Sequence, residues 1–414
     1  MFIHDSEEGL LERVLNGEVK LHELDRITGD SNTATAIRRR ALEKTLGVNL
    51  SPLQDSLDYN EIVGRNCENT IGSVKVPVGI AGPLEVRGEY AKGLYYVPIA
   101  TTEGALVASI NRGCAAASSS GGVYVRILDD KITRAPVFKV PTIDKALEFV
   151  KWIEENFSEI KKVFESTTKY GKLRNVVPFI VGRTVFLRFE APSGDAMGMN
   201  MIVKAVDEVV KYIRSNLNYV SLVSISGNLC TDKKPTGVNW VMGRGKTVTA
   251  EAFIKREVVE RVLKTTPEAI EEVCLRKLYI GSSRAAALGG FNAHVSNIIA
   301  GIFLATGQDL GQVVESSQSI TYCETLEDSR LYISTTIPAL EVGTVGGGTE
   351  LPTQKTNLSI LKAQGSGEKP GDNAKKLAEI IAATTLAGEL SLLAALAAHH
   401  LTEAHMRLGR KQKV

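Results

Sequence analysis

At 414 residues the chain is too long for one ordinary domain and predicts two or three. Hydrophobic residues at 43% and charged residues at 23% allow a packed core and argue against wholesale disorder. A net charge of +2 gives no global support for nucleic-acid binding, and five cysteines (Cys67, Cys114, Cys230, Cys274, Cys323) without a C-x-x-C pair argue against a disulfide framework or structural zinc and fit a reducing cytoplasm.

Residues 1–65 read as a small helical domain. Leu10, Leu11 and Val14 recur at helical spacing, Thr28-Gly29-Asp30 interrupts, and residues 36–46 resume with three consecutive arginines. Asp5, Glu7 and Glu8 at the start are unlike a signal peptide. Residues 65–84 turn to Gly, Pro and Val, a texture of loops and short strands. A strand over 94–100 then ends in Thr101-Thr102-Glu103-Gly104.

Residues 136–226 form a unit of their own. A strand (137–140), a long amphipathic helix (143–166), two strands (176–181, 184–189), a second helix (197–215) and a last strand (220–225) give the order β-α-β-β-α-β, the ferredoxin-like pattern. A polar turn and a Val-rich segment follow, then a helix over 257–263. Residues 286–306 read as a long uncharged helix or helix pair, which belongs inside a domain. The last apolar run, 377–401, carries Glu379, Glu389, His399 and His400 and reads as a buried helix, not a membrane span. The expected fold class is α+β. Residues 66–135 and 227–414 form a large, mostly helical domain with a long central helix and a C-terminal flap at 400–414, and residues 136–226 are inserted in it.

The common catalytic motifs are missing. There is no G-x-G-x-x-G, H-E-x-x-H or G-x-S-x-G, and the six histidines show no metal-ligand spacing, so no metal is expected. Gly243-Arg244-Gly245-Lys246-Thr247 resembles the end of a P-loop, but the required first glycine is Trp240.

Four polar clusters remain in apolar surroundings. Glu103 is the sole acid of residues 98–109, and burial among apolar groups would let it hold a proton near neutral pH. Lys233 and Lys234 lie in S-I-S-G-N-L-C-T-D-K-K-P and can serve an oxyanion and a carboxylate. Asp309 in G-Q-D follows the long apolar segment, and His405 stands before a basic tail. Taken alone, each reads better as something ordinary: a capped helix start, a solvated loop, a helix-end turn, a frayed terminus. Two Gly-rich stretches, 194–201 and 343–349, either bring backbone amides to phosphates or are plain turns.

Together and in this order the motifs E-N-T-I-G, P-V-G-I-A-G-P-L, T-T-E-G, G-D-A-M-G-M-N, S-G-N-L-C-T-D-K-K-P, G-Q-D and G-T-V-G-G-G-T resemble the HMG-CoA reductases, across almost the whole chain. The resemblance is to the biosynthetic class (class I), in a soluble form without a membrane domain. It implies NADPH-dependent, four-electron reduction of HMG-CoA to mevalonate and CoA, within isoprenoid biosynthesis. It places the catalytic residues on Glu103, Lys233, Asp309 and His405. Substrate contacts fall on Arg134, Ser226, Lys234 and Asn297. NADP(H) contacts fall on Asp195, Ala196, Met197, Gly198, Met199 and Asn200 of the small domain, and on the 343–349 loop with Gly346, Gly347, Gly348 and Thr349. It implies a cytoplasmic homodimer or homotetramer with active sites shared between subunits, and neither nucleic-acid nor membrane partners.

Three departures from the eukaryotic members stand out. Ala115 replaces an arginine that reads the extra phosphate of NADP, Val313 replaces an asparagine, and Lys411 stands where a phosphorylatable serine is found. The rivals are an NAD-linked mevalonate oxidase of the same family, a thiol hydrolase using Cys230, and a non-catalytic CoA-binding protein. The T-T-E-G and D-K-K-P context disfavours the first, and the want of a histidine near Cys230 the second. The third does not need four ionisable groups in apolar clefts.

Overall fold

The structure, a computed structural model, describes residues 6–398. The chain divides into two compact units, residues 1–77 with 350–352, and residues 78–349 with 353 onward.

The first unit is helical. Helices Glu7–Leu15, Leu24–Thr28 and Ser31–Leu46 surround a core of Leu10, Leu11, Leu24, Ala34 and Ile37. The Thr28-Gly29-Asp30 break works as its residue types dictate. Gly29 ends one helix at φ 66°, and the Asp30 carboxylate accepts the Thr33 N–H (2.9 Å) to start the next. The buried Arg38 pairs with Asp25 and donates to the Leu21 carbonyl (2.8 Å), tying the helices together.

The second unit departs from expectation. Its larger part is built around a sheet and is not mostly helical. Strands Lys92–Ala100, Val78–Arg87, Val123–Arg134, Gly245–Ile254, Leu331–Leu340, Ser319–Thr325 and Gly290–Phe291 lie side by side in that order. The alternation in Gly245–Ile254 shows why: Val248, Ala250, Ala252 and Ile254 point inward, and Thr249, Glu251 and Phe253 between them do not. Residues 286–294 are not helical. Ala286 (φ 53°) and Gly289 (φ 73°) take left-handed turns, and only Val295–Thr306 is helix.

The long helix exists as Asp372–Ala397, and it is buried almost throughout. By length and hydropathy it could cross a membrane, but 83% of its apolar window is packed inside the fold. Its Ala/Gly composition allows close packing, because a Cβ on Gly113 of helix Leu106–Ser119 would overlap the Ala387 carbonyl. Its two buried acids fasten loops. Glu379 accepts the N–H groups of Glu89, Tyr90 and Ala91 (2.9, 2.9 and 2.6 Å). Glu389 accepts those of Ala293 and His294 (both 2.7 Å) and the Thr321 hydroxyl (2.9 Å).

Strand Val123–Arg134 runs on into a second sheet, where Ile132 to Arg134 pair with Thr184–Ala191. Ser221–Ser224, Val137–Lys139, Thr184–Ala191 and Asn175–Val181 follow in that order, all antiparallel. Helices Ile143–Glu155, Phe157–Glu165 and Met199–Asn216 accompany it, and its core is separate, around Phe138, Phe149, Phe164 and Phe189. The helix expected over 143–166 is two helices that meet at Asn156.

Candidate active site

The D-K-K-P loop is held in an unusual backbone. Asn228, Thr231 and Lys233 all have positive φ (63°, 61° and 57°), a conformation that non-glycine residues keep only where their surroundings impose it. The buried Asn239 donates to the Thr231 and Lys234 carbonyls (both 3.1 Å), and Arg188 donates to the Leu229 carbonyl (2.8 Å). Lys233 donates its backbone N–H to Glu315 Oε1 at 2.9 Å.

From this turn the Lys233 ammonium reaches Asp309, with Nζ–Oδ2 at 2.9 Å. Asp309 sits just beyond helix Val295–Thr306, which Gly307 closes at φ 71°, and it caps the following turn by accepting the Gly311 N–H (2.9 Å). The lysine stem runs over Gly311, where a Cβ would lie 2.8 Å from Lys233 Cδ. The Asp309 hydrogen bond, helped by the charges of Asp309, Asp232 and Glu315, raises the Lys233 pKa against the opposing effect of burial. The amine therefore stays an ammonium.

Beneath the loop lies a buried charge cluster that the motif reading passed over. Arg244, fully buried, pairs with Glu315 (2.6 Å), Glu341 (3.0 Å) and Asp232 (3.2 Å) and donates to Gln312 (2.9 Å) and Thr133 (3.1 Å). Gln312 in turn donates to Asp232 at 2.8 Å. Burial pushes Glu315 and Glu341 each up to about 7, against the pull of Arg244. Neither Glu341 oxygen makes a hydrogen bond among the described residues, though Arg244 Nη1 stands 3.0 Å from one of them. The signal in the sequence was Arg244 and Lys246 at the head of an apolar strand, with unpaired acids at 315 and 341.

Arg134, Ser226 and Cys230 are neighbours. Ser226 Oγ lies 3.4 Å from Cys230 Sγ, and the Arg134 Nε is buried without a hydrogen-bond partner among the described residues. Burial raises the Cys230 thiol, but the Ser226 hydroxyl, the Asp232 amide and the Arg134 and Arg244 charges outweigh it and bring the thiol below its usual range. Lys234 bonds the Asp232 carbonyl (3.0 Å). Asn297, at the start of its helix, is half-buried and makes no side-chain hydrogen bond among the described residues. Pro235, Asn292, Ser296, Val314 and Gln318 line a cavity of about 240 Å³ between the D-K-K-P loop and that helix.

The two Gly-rich stretches meet. The Thr344 N–H donates to the Asp195 carbonyl (2.7 Å), and a Cβ on Gly343 would overlap the Met197 amide. Gly348 lies against Gly307, next to the turn that carries Asp309. The Asp195 side chain faces inward, accepting N–H groups from Gly367, Gly371, Asn373 and Ala374 (3.0–3.1 Å). It anchors the start of the long helix and has no oxygen to spare for a ligand.

Glu103 stands apart. The apolar pocket expected for it is not formed by these residues, because its side chain is exposed. It precedes helix Leu106–Ser119 on a turn braced by Thr101, which accepts the Glu103 N–H (3.0 Å), with Ala105 at φ 71°. Among the described residues no hydrogen bond or ion pair joins it to Lys233 or Asp309. His405 lies outside the described residues.

The family model for hydroxymethylglutaryl-coenzyme A reductase matches residues 34–410. The chain belongs to this family. It is 54% identical over 406 residues to the 3-hydroxy-3-methylglutaryl-coenzyme A reductase of Pyrococcus abyssi, covering 97% of this chain and 99% of that one. It is 49% identical over 407 residues to the reductase of Methanocaldococcus jannaschii, covering 97% and 98%. Among solved structures, the class II reductase of Streptococcus pneumoniae bound to NADPH matches with a TM-score of 0.66 at 18% identity, covering 87% of this chain and 96% of that one. At that identity it shows a shared fold.

Proposed function

We propose that the chain reduces 3-hydroxy-3-methylglutaryl-CoA to mevalonate and CoA with NADPH, and that Glu103, Lys233, Asp309 and His405 carry the chemistry. The carrying observation is the Lys233–Asp309 pair at 2.9 Å, set on a buried, charge-paired base. A nicotinamide absorbance assay with HMG-CoA tests the reading. Oxidation of NADPH with release of CoA supports it, and CoA release without NADPH oxidation refutes it.

NADPH, when bound, supplies the hydride for each of the two reductions. The residues present fit such a ligand. Gly198 (φ 102°) heads helix Met199–Asn216 with no side-chain cap, leaving first-turn amides for a pyrophosphate, and the 343–349 loop packs beside it. Backbone amides of 196–200 and 346–349 would hold it, with the Asp195 carboxylate fixing the loop.

Lys233 holds the negative charge that develops on the carbonyl oxygen at each reduction, and Asp309 keeps that lysine charged and aimed. Glu103 protonates the oxygen. Glu103 takes that proton back as the hemithioacetal C–S bond breaks to give an aldehyde, His405 protonates the departing thiolate, whose ordinary pKa is about 8.5, and Glu103 protonates the alkoxide left by the second reduction. Arg134, Ser226, Lys234 and Asn297 hold the substrate's free carboxylate and hydroxyl.

The reading extends to class I, the biosynthetic branch, in the cytoplasm, as a homodimer or tetramer with shared sites. The exposure of the Glu103 side chain, which makes no bond to Lys233 among the described residues, supports sharing. Three separate hydrophobic cores support an N-terminal helical domain, a large domain and an inserted small domain. The antiparallel strand order of that insert supports a ferredoxin-like fold.

Two results follow. With Ala115 unable to bind the extra phosphate, that role falls in this reading to an exposed cation of the Met199–Asn216 helix such as Lys204. The kcat/KM with NADPH should exceed that with NADH by about tenfold or more, the value of one charge-assisted contact. Equal efficiency would refute the preference. For His405→Gln, reduction of HMG-CoA should fall by about a hundredfold, while free mevaldehyde, which releases no thiolate, is reduced at nearly the normal rate. Equal loss on both substrates would remove His405 from thiolate protonation.

A further inference from the structure

We propose that Glu315 is the positioning residue for Lys233: its carboxylate ties the Lys233 backbone N–H to the buried Arg244 guanidinium and so fixes the left-handed turn from which the ammonium reaches Asp309. The inference rests on the reading that Lys233 acts at the carbonyl oxygen.

Three observations converge on it. Glu315 Oε1 receives both the Lys233 N–H (2.9 Å) and Arg244 Nη1 (2.6 Å), so one oxygen joins the loop to the core. Lys233 has φ 57°, which a lysine does not adopt without an imposed restraint. Glycine would adopt it freely, but the position needs an ammonium. The third observation is an excess of acid. Asp232, Glu315 and Glu341 surround a single guanidinium, and Glu341 at 3.0 Å would suffice to neutralise it. A further fully buried carboxylate is costly in an ion cluster that does not need its charge. Glu315 is the member of the three that bonds the Lys233 backbone, and its negative charge also helps keep Lys233 protonated.

The groups facing Glu315 are Arg244, Asp232, Glu341 and the Lys233 amide, with Lys246 acting on Glu341. Burial raises the Glu315 carboxyl to about 7, so it is charged on the alkaline side of neutrality and protonated on the acid side. A protonated carboxyl grips the amide and the guanidinium less strongly. The kcat of the unaltered chain should therefore fall as pH drops through about 7.

The test compares Glu315→Gln and Glu315→Ala in the full chain with HMG-CoA and with mevaldehyde. Glutamine keeps the shape and an acceptor but not the charge, and should lower kcat about tenfold for both substrates and abolish the acid-side fall. Alanine loses the anchor and should lower kcat about a hundredfold. The KM for NADPH should stay within about twofold in both, which a general loss of structure would not allow. Should the variants not fold, hydrogen exchange of residues 228–236 in the unaltered chain decides: protection must weaken as pH drops through neutrality. A normal kcat with an unchanged pH profile in both variants, or pH-independent protection of the loop, overturns the proposal. Lys233→Ala separates the two levels. If it is inactive while Glu315→Gln is normal, only the positioning role fails; if it is active, the role of Lys233 itself fails.

Discussion

Lys233→Ala should lower kcat about a hundred- to a thousandfold, equally for HMG-CoA and for free mevaldehyde, the scale of losing one preorganised oxyanion donor. Both substrates present a carbonyl that takes a hydride, and the charge on its oxygen is the same problem in each. Asp309 does not rescue the variant, because a carboxylate left without its lysine repels the developing anion. Arginine at 233 should restore little. A planar guanidinium presents a fork and not the point charge that Lys233 aims at Asp309. If each site takes Glu103 and Lys233 from different chains, mixing inactive Lys233→Ala and Glu103→Gln chains should recover part of the activity. The check is the rate with each substrate before and after subunit exchange. A loss confined to HMG-CoA would assign Lys233 to thiolate departure and contradict the role given to it.

The sequence carried the chemistry further than the architecture. The elements of residues 136–226 were legible because strands and helices alternate there with clear periods, and Val137–Lys139, Asn175–Val181, Thr184–Ala191 and Met199–Asn216 fall where expected. The seven-stranded sheet was not. In its Gly245–Ile254 and Leu331–Leu340 strands the partly exposed face carries Phe253 and Tyr332 beside threonine, serine and Glu251, which blurs the contrast of apolar and polar positions. The 286–294 stretch misled for the opposite reason. Its apolar residues fit a helix, but Ala286 and Gly289 turn the chain and Gly290–Phe291 adds a strand. At the site, the pairing of Lys233 with Asp309 was an implication of family resemblance, and no spacing rule gives a contact across 76 positions of sequence. By itself Arg244 reads as the arginine of a broken P-loop. Two of the three acids it pairs with lie 71 and 97 residues away, and a long-range ion cluster leaves no local pattern.

Arg244→Met should be the most destabilising single change at the site, costing about 3–5 kcal/mol, the usual loss when one partner of a buried ion pair is removed. In a unit of this size that lowers Tm by about 4–7 °C. Methionine fills much of the arginine's volume, so the loss is electrostatic and not a cavity. Its pH dependence identifies it. Glu315 and Glu341 already titrate near 7 in the folded chain, above the ordinary carboxylate value, because burial disfavours their charge. Without Arg244 both rise further. A carboxyl with a raised folded-state pKa gives stability that is present at low pH and lost as pH rises through that pKa. The variant should therefore be furthest below the unaltered chain above pH 7 and approach it as pH falls toward 5, where the acids are neutral. Thermal unfolding of both chains from pH 5 to 8 measures the gap. A gap constant over that range would mean that packing, and not the pairing of Arg244 with three acids, holds the D-K-K-P loop in place.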